Sequence, residues 1–404
     1  MIIPNWKKKF FILWTGQFFS LISSSAVNFA IIIWLSLKTE SAEVLTYAAI
    51  AGLLPQGLIG PFAGVFVDRW NRKLTMMLSD GFVAFCTLIM SISFYLGYEN
   101  LILIYTVLTF RSIGSAFHMP AMQASIPLLA PRSALLRIAG INQIIKSVSN
   151  IAGPALGALA VGFLSIGNVL LLDIAGAMLA ITSLFFIAIP ATKQEVLGKP
   201  NIKQVFTEMK VAYREVRKSK GLSLLFLYCS IAGICIMPIA VLLPLMTIKQ
   251  FNGGKFEMGI VETVWGTGAL LGGALLSIWN IRIRKVYLVS FAHVLLGFAF
   301  LLSGFLSADY FFLFVVLVSM GGISAAFYNS GFTATVQEMM QSEMLGRVFA
   351  LYYSLDVLPT VFALVGTSFL VDSVGLNTVF VMLGGLVFIV GIISFLTPSF
   401  RKMN

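Results

Sequence analysis

Lys7-Lys8-Lys9 is followed by Phe10-Phe11-Ile12-Leu13-Trp14-Thr15-Gly16-Gln17-Phe18-Phe19-Ser20-Leu21-Ile22-Ser23-Ser24-Ser25-Ala26-Val27-Asn28-Phe29-Ala30-Ile31-Ile32-Ile33-Trp34-Leu35-Ser36-Leu37, a run without a charged residue. Its first part imitates a secretory signal, with a basic cluster, an apolar stretch and a cleavage-like Ser24-Ser25-Ala26. The apolar character, however, continues through Ile31-Ile32-Ile33-Trp34 to a length that crosses a bilayer, for which about 20 apolar residues suffice. Residues 10–37 therefore read as a membrane-spanning helix rather than a cleaved leader.

Comparable runs recur at 44–67, 74–96, 101–125, 137–163, 168–190, 222–248, 258–280, 286–306, 309–333, 345–371 and 376–397. They are far longer than the ~10-residue alternating segments of a membrane β-barrel, so the expected fold is all-α. The composition agrees: of 404 residues, 59% are hydrophobic and 11% charged. A water-soluble domain carries ~25% charged residues to hydrate its surface, which excludes a pair of soluble domains of this length.

The net charge of +11 comes from 27 basic and 16 acidic residues. It does not form a nucleic-acid-binding face, because the basic residues fall in short clusters between apolar runs. If residue 1 is cytoplasmic, 22 of the 27 Lys and Arg lie in cytoplasmic segments and Lys38, Lys249 and Lys255 lie outside. This positive-inside asymmetry predicts twelve spans with both termini in the cytoplasm of a bacterial cell. The other two bases, Arg111 and Lys146, lie inside spans.

The longest connection, 191–221, divides the chain into expected bundles at 1–190 and 222–404. Ile202, Val205, Phe206, Met209, Ala212, Tyr213 and Val216 have helical apolar spacing opposite a basic face, which predicts an amphipathic helix at the membrane surface. The two halves also repeat. Gly64 to Asn71 matches Gly273 to Asn280 at an offset of 209, and Ala116 to Arg137 matches Ala326 to Arg347 at 210. Two distant matches at nearly one offset and with the same inside–outside sense predict a parallel duplication, six helices in each bundle, with a central cavity between the halves.

Three constellations carry the functional reading. Gly64-x-x-x-Asp68-Arg69-x-x-Arg72-Lys73 follows span 2: Gly64 permits close helix packing, Asp68 suits a helix N-terminus, and the bases can tether cytoplasmic helix ends. Arg111 with Gly114 lies near mid-bilayer in span 4, where an Arg costs at least ~2.5 kcal/mol and must face protein or a wet cavity. Gly140, Ser149, Gly153, Pro154 and Gly157 in span 5 form a small-residue stripe, with Pro154 removing one helix hydrogen bond. The stripe predicts a kinked helix and a tight seam between the halves.

These motifs resemble the major facilitator superfamily over essentially the whole chain. Its loop signature usually has Gly where Asn71 stands, but Asn tolerates a left-handed turn. Within the superfamily the chain is similar to Mef-type macrolide efflux proteins, through Trp14-x-Gly16-Gln17, Gly60-Pro61, Asp68-Arg69, Arg111 through Ala121 and Leu345-Gly-Arg347-Val-Phe349. The resemblance implies a monomeric exporter of a small hydrophobic, macrolide-like drug in exchange for protons. A siderophore or metabolite is the alternative cargo, and proton-coupled uptake is the less favoured direction.

Proton exchange requires a titratable group within the membrane. Glu262 in span 8 is the leading candidate, as part of a helix expected to line the cavity, followed by Asp173 in span 6, with Asp356 in span 11 also in place. Arg111 and Lys146 are expected to share carboxylate partners. Asp80 reads as a partner of the cytoplasmic bases, and His118, beside Met119 and Pro120, as a packed residue with some claim to be a relay. No catalytic constellation, metal-ligand spacing, cofactor motif or nucleotide-binding Gly-x4-Gly-Lys-Ser/Thr loop is expected, so an enzyme is not the reading and the proton gradient is the expected energy source. The lipid bilayer is the remaining partner. Cys86, Cys229 and Cys235 lie in apolar runs and read as packing residues.

Overall fold

The computed structural model describes residues 6–67, 70–129, 135–189, 202–278, 284–340 and 342–403. Those residues form helices and short connections. In chain order the helices are α1 (Trp6–Thr39), α2 (Ala42–Val67), α3 (Arg72–Tyr95), α4 (Leu101–Leu129), α5 (Leu135–Phe163), α6 (Ile166–Phe185), α7 (Ile202–Lys218), α8 (Lys220–Lys249), α9 (Lys255–Ile278), α10 (Lys285–Phe305), α11 (Phe311–Met339), α12 (Ser342–Val374) and α13 (Leu376–Leu396). Each apolar run adopts the one open-ended structure that satisfies its own backbone in lipid. The fold is an all-α, multi-pass membrane architecture of twelve long helices, with α7 as an additional amphipathic helix.

Ten helices contain stretches long and apolar enough to span a membrane. In α5 and α12 the described apolar stretches are Ser147–Phe163 and Pro359–Val374. The first halves of both helices carry charged residues, Arg137 and Lys146 in α5 and Glu343, Arg347 and Asp356 in α12. Connections are terse. Gly375 closes α12 with φ +86°, a conformation that suits a residue without Cβ, and donates its amide to the Val371 carbonyl at 3.0 Å.

The chain divides into two compact units, one comprising Met1–Trp34 and Tyr47–Ile202, the other Leu35–Thr46 and Lys203–Asn404. Within the first, α3 packs on α4 and on α6; within the second, α10 packs on α11 and on α13. Omitting α7, these are spans 3, 4 and 6 and spans 9, 10 and 12. One packing scheme is thus used twice, in the order that the sequence repeat requires.

α7 groups with the second unit rather than standing as a separate linker. Ala212 and Val216 are fully or nearly fully buried in a cluster with Leu222, Phe226, Val348, Phe400 and Met403. Tyr213, predicted on the same apolar face, lies at its edge and is 46% exposed, with the Arg217 guanidinium 5.5 Å over its ring. The three cysteines, Cys86, Cys229 and Cys235, are buried.

Candidate functional site: buried charges in the first unit

α1 is drawn tightly against α5 and α6 by glycines. A Cβ on Gly176 of α6 would collide with Ser23 Oγ, one on Gly153 of α5 with Ser25 Oγ, and one on Gly157 with the Ala26 carbonyl oxygen. Backbones at such separations leave no room for sliding side chains, and they fix the rotation of α1. Ser24, between these contacts, consequently presents its hydroxyl to Asp173 of α6 and donates to Oδ1 at 2.5 Å.

Asp173 is almost completely buried, 1% exposed, and Arg111 of α4 is 5% exposed. Arg111 Nη1 donates to Asp173 Oδ2 and to Thr87 Oγ1, and Nη2 donates to Asn28 Oδ1 at 3.0 Å. Thr87 of α3 donates to Asp173 Oδ2 at 2.7 Å. Next to the arginine, Ser112 splices into the backbone ladder of α2, donating to Gly52 O at 2.7 Å and accepting from Gln56 N at 3.1 Å. The arginine predicted at mid-bilayer therefore faces protein and has a carboxylate partner from α6. A buried pair of this kind is worth little net stability, but removing one member costs about 3–5 kcal/mol by stranding the other charge.

Toward the other end of α3 and α4 lies a second pair. His118 Nε2 is 3.2 Å from Asp80 Oδ1, without the alignment of a hydrogen bond, and each residue is 8% exposed. Among the described residues the partner of Asp80 is thus a histidine, where a cytoplasmic base was expected. The nearby bases bind backbone instead: Arg72 Nη1 donates to Ala124 O at 2.7 Å, and Lys73 Nζ donates to Ile187 O at 2.9 Å and Phe185 O at 3.3 Å.

Both pairs border one cavity of about 900 Å³ inside the first unit, lined by Asp173, Asp80 and His118 together with the neutral polar residues Ser24, Asn142 and Ser149. Several atoms on or near its walls are buried with no hydrogen-bond partner among the described residues: Trp14 Nε1, Asn142 Oδ1, Ser149 Oγ and Asp80 Oδ2. Such groups require water when the cavity is large and polar enough to hold it. A water-accessible compartment with an acid, an arginine and an acid–histidine pair can bind, hold and pass protons.

Residues 2–395 match the family model of the transmembrane secretion effectors, a branch of the major facilitator transporters. The chain belongs to that family. It is 35% identical to macrolide efflux protein A of Streptococcus pyogenes over 99% of this chain and 98% of that protein. It is 34% identical to the macrolide efflux protein A of Enterococcus faecalis over 77% of this chain and 95% of the relative. In fold it is similar to a bacterial homologue of the iron transporter ferroportin solved in an inward-facing state, with TM-score 0.76, 14% identity and coverage of 98% of both chains.

The other signature residues of this major facilitator protein have varied placements. Gly64 lies in α2 and Gly140 in α5, whereas Asp68 and Arg69 lie outside the described residues. Asn71 is not in a left-handed turn: at φ −65° it caps α3, its side chain accepting from Leu74 N at 3.1 Å. Asn is among the favoured N-cap residues, so the position has gained a cap where a glycine would give only freedom. α5 is continuous through Pro154. Gly153 and Gly157 of the small-residue stripe pack on α1 of the same unit, and Ser149 lines the cavity.

The side chains of Lys146 and Asp356 lie outside the described residues, so no shared partner for Arg111 and Lys146 is assigned. Glu262 is half-buried in α9 and, among the described residues, has neither hydrogen bond nor ion pair. Sequence reasoning missed Ser24, Asn28 and Thr87, the neutral ligands of the Arg111–Asp173 pair. Their signal was present as polar residues in the middle of apolar runs, with the serines of α1 imitating a cleavage site.

Proposed function

We propose that this protein exports a macrolide-like hydrophobic drug in exchange for protons, by alternating access, across the bacterial cytoplasmic membrane with both termini in the cytoplasm. The observation that carries the proposal is the 35% identity to macrolide efflux protein A, sustained over 99% of the chain. Proton coupling is supported by the buried Arg111–Asp173 pair at the wall of a polar cavity. With Asp173 ionised, the pair is closed and Ser24, Thr87 and Asn28 complete it. A proton on Asp173 neutralises the carboxylate and leaves Arg111 to its neutral ligands, a change of charge distribution that the drug-bound and drug-free states can sense differently. An inward proton releases about 2.3 kcal/mol per 100 mV, sufficient for tens-fold drug accumulation per proton without ATP.

The test uses a host lacking its own drug pumps. Expression should lower erythromycin susceptibility, and everted vesicles should take up erythromycin when a proton gradient is imposed. Asp173→Asn should abolish the gradient-dependent part, and Glu262→Gln, which alters a lone carboxylate of the second unit, should be measured beside it. Full gradient-dependent transport by both variants would overturn the assignment of the proton carrier. Unchanged susceptibility together with a secreted siderophore or metabolite retained on gene deletion would favour the alternative cargo.

A further inference from the structure

The acid–histidine pair has no role in the mechanism above, yet its position is regular. Asp80 and Thr87 are seven residues apart on α3, and Arg111 and His118 are seven apart on α4. Seven residues are two helical turns, about 10 Å along the axis with the side chains on nearly the same face. The two helices are packed against each other and joined by a short turn, so their chains run in opposite senses. Thr87 meets Arg111 and Asp80 meets His118, two cross-links that obey one antiparallel register. Between them the helices approach closely at Gly114, where an added Cβ would lie 2.9 Å from Val83 Cγ2. The result is a ladder with an Arg111–Asp173 rung and an Asp80–His118 rung, both opening on the same cavity.

The lower rung is electrostatically incomplete. With a neutral imidazole, Asp80 is a buried carboxylate whose Oδ2 has no partner among the described residues, and His118 stands 3.2 Å from its Oδ1, able to supply a proton or a positive charge. The cavity walls contributed by α1 and α5 are neutral at Ser24, Asn28, Asn142 and Ser149; among described side chains the charges facing it come from the two rungs.

We propose that Asp80 and His118 form a second protonation site, which exchanges a proton with Asp173 through water in the cavity. In the inward direction the Asp173 carboxyl releases its proton and, as carboxylate, recovers Arg111. The proton passes along water to His118, and the imidazolium so formed is held by the Asp80 carboxylate. Release toward the α3 N-terminal end returns His118 to its neutral form. This rests on the reading of the protein as proton-coupled and adds a defined second station to it.

The decisive measurement is histidine titration in the full-length protein. The chain has only two histidines, so ¹⁵N-histidine labelling in lipid nanodiscs gives two ring signals, and His118→Gln identifies which is His118. That signal should change on titration, and its midpoint should fall in Asp80→Asn and in Asp173→Asn, since each removes a negative charge that favours imidazolium. In proteoliposomes loaded with pyranine, His118→Gln should reduce erythromycin-driven proton movement about tenfold and flatten the pH profile of efflux. A His118 signal that does not titrate, a midpoint that Asp173→Asn leaves in place, or undiminished proton movement in His118→Gln would each overturn the proposal. If the wild-type protein moves no erythromycin, the macrolide reading fails, and the titration arm still decides the protonation site.

Discussion

The two units use one packing scheme for opposite purposes. In the first, α3, α4 and α6 enclose Arg111, Asp173, Asp80 and His118 around a polar cavity. In the second, at the 210-residue offset of the sequence repeat, these positions correspond to Gly321, Leu383, Ser290 and Tyr328. There the interior is filled by rings: Phe332 lies 4.4 Å from Tyr352 and 5.5 Å from Phe226, and Trp265 stacks on Phe300 at 6.1 Å. Among the described residues, buried ion pairs occur in the first unit alone. Duplication supplied two scaffolds, and among the described residues only the first holds buried acid–base pairs, whereas the second has a single buried imidazole, His293, 5.4 Å from the Tyr328 ring.

The most severe way to break this contrast is Arg111→Ala, which strands Asp173. It should reduce gradient-driven efflux about a hundredfold and destabilise the protein by about 3–5 kcal/mol, as followed by thermal aggregation in detergent, with Arg111→Lys intermediate. A second comparison pairs two glycines related by the repeat. Gly157→Ala should cost about 1–3 kcal/mol, because its Cβ would run into the Ala26 carbonyl, whereas Gly366→Ala, where no atom lies within 4 Å, should be neutral or stabilise by up to ~1 kcal/mol. Equal effects at the two sites would remove the claim that the first unit is the more tightly seamed at this helix. Third, Tyr328→Phe, at the position matching His118, removes the hydroxyl contact with Tyr352 at 2.5 Å, should cost about 1 kcal/mol, and should leave the pH profile of efflux unmoved. The smallest effect belongs to Lys285→Ala: its pair with Glu338 is exposed, and loss should change stability by less than about 1 kcal/mol.

The twelve apolar runs and α7 were legible because length and period are local properties of a chain in lipid. The identity of Arg111 and Asp173 as functional candidates was legible too, since a mid-span charge has few inexpensive places to go. Their pairing was not, because it depends on the rotation of α1, α4 and α6, which is set by contacts such as Ser25 with Gly153. For the same reason Asp80 was matched to the wrong partner: proximity along the chain favours the loop bases, whereas the register of α3 on α4 delivers His118. The stripe on α5 was recognisable as a packing surface, but spacing does not say which helix receives it.

α7 introduces a constraint of a different sort, on the order in which the molecule can be made. Its buried residues, Ala212 and Val216, share a cluster with Phe400 and Met403, and Met403 also lies against Gly221. A ribosome produces those partners about 190 residues later, after every membrane helix of the second unit has emerged. Until then the apolar face of α7 has an incomplete set of partners, Leu222 and Phe226 first and Val348 later, and the lipid surface can cover the remainder, a position that its basic opposite face suits. The second unit consequently closes like a clasp, its first helix waiting for its final turn, and a nascent chain arrested before Phe400 would leave α7 as an exposed flag for quality control.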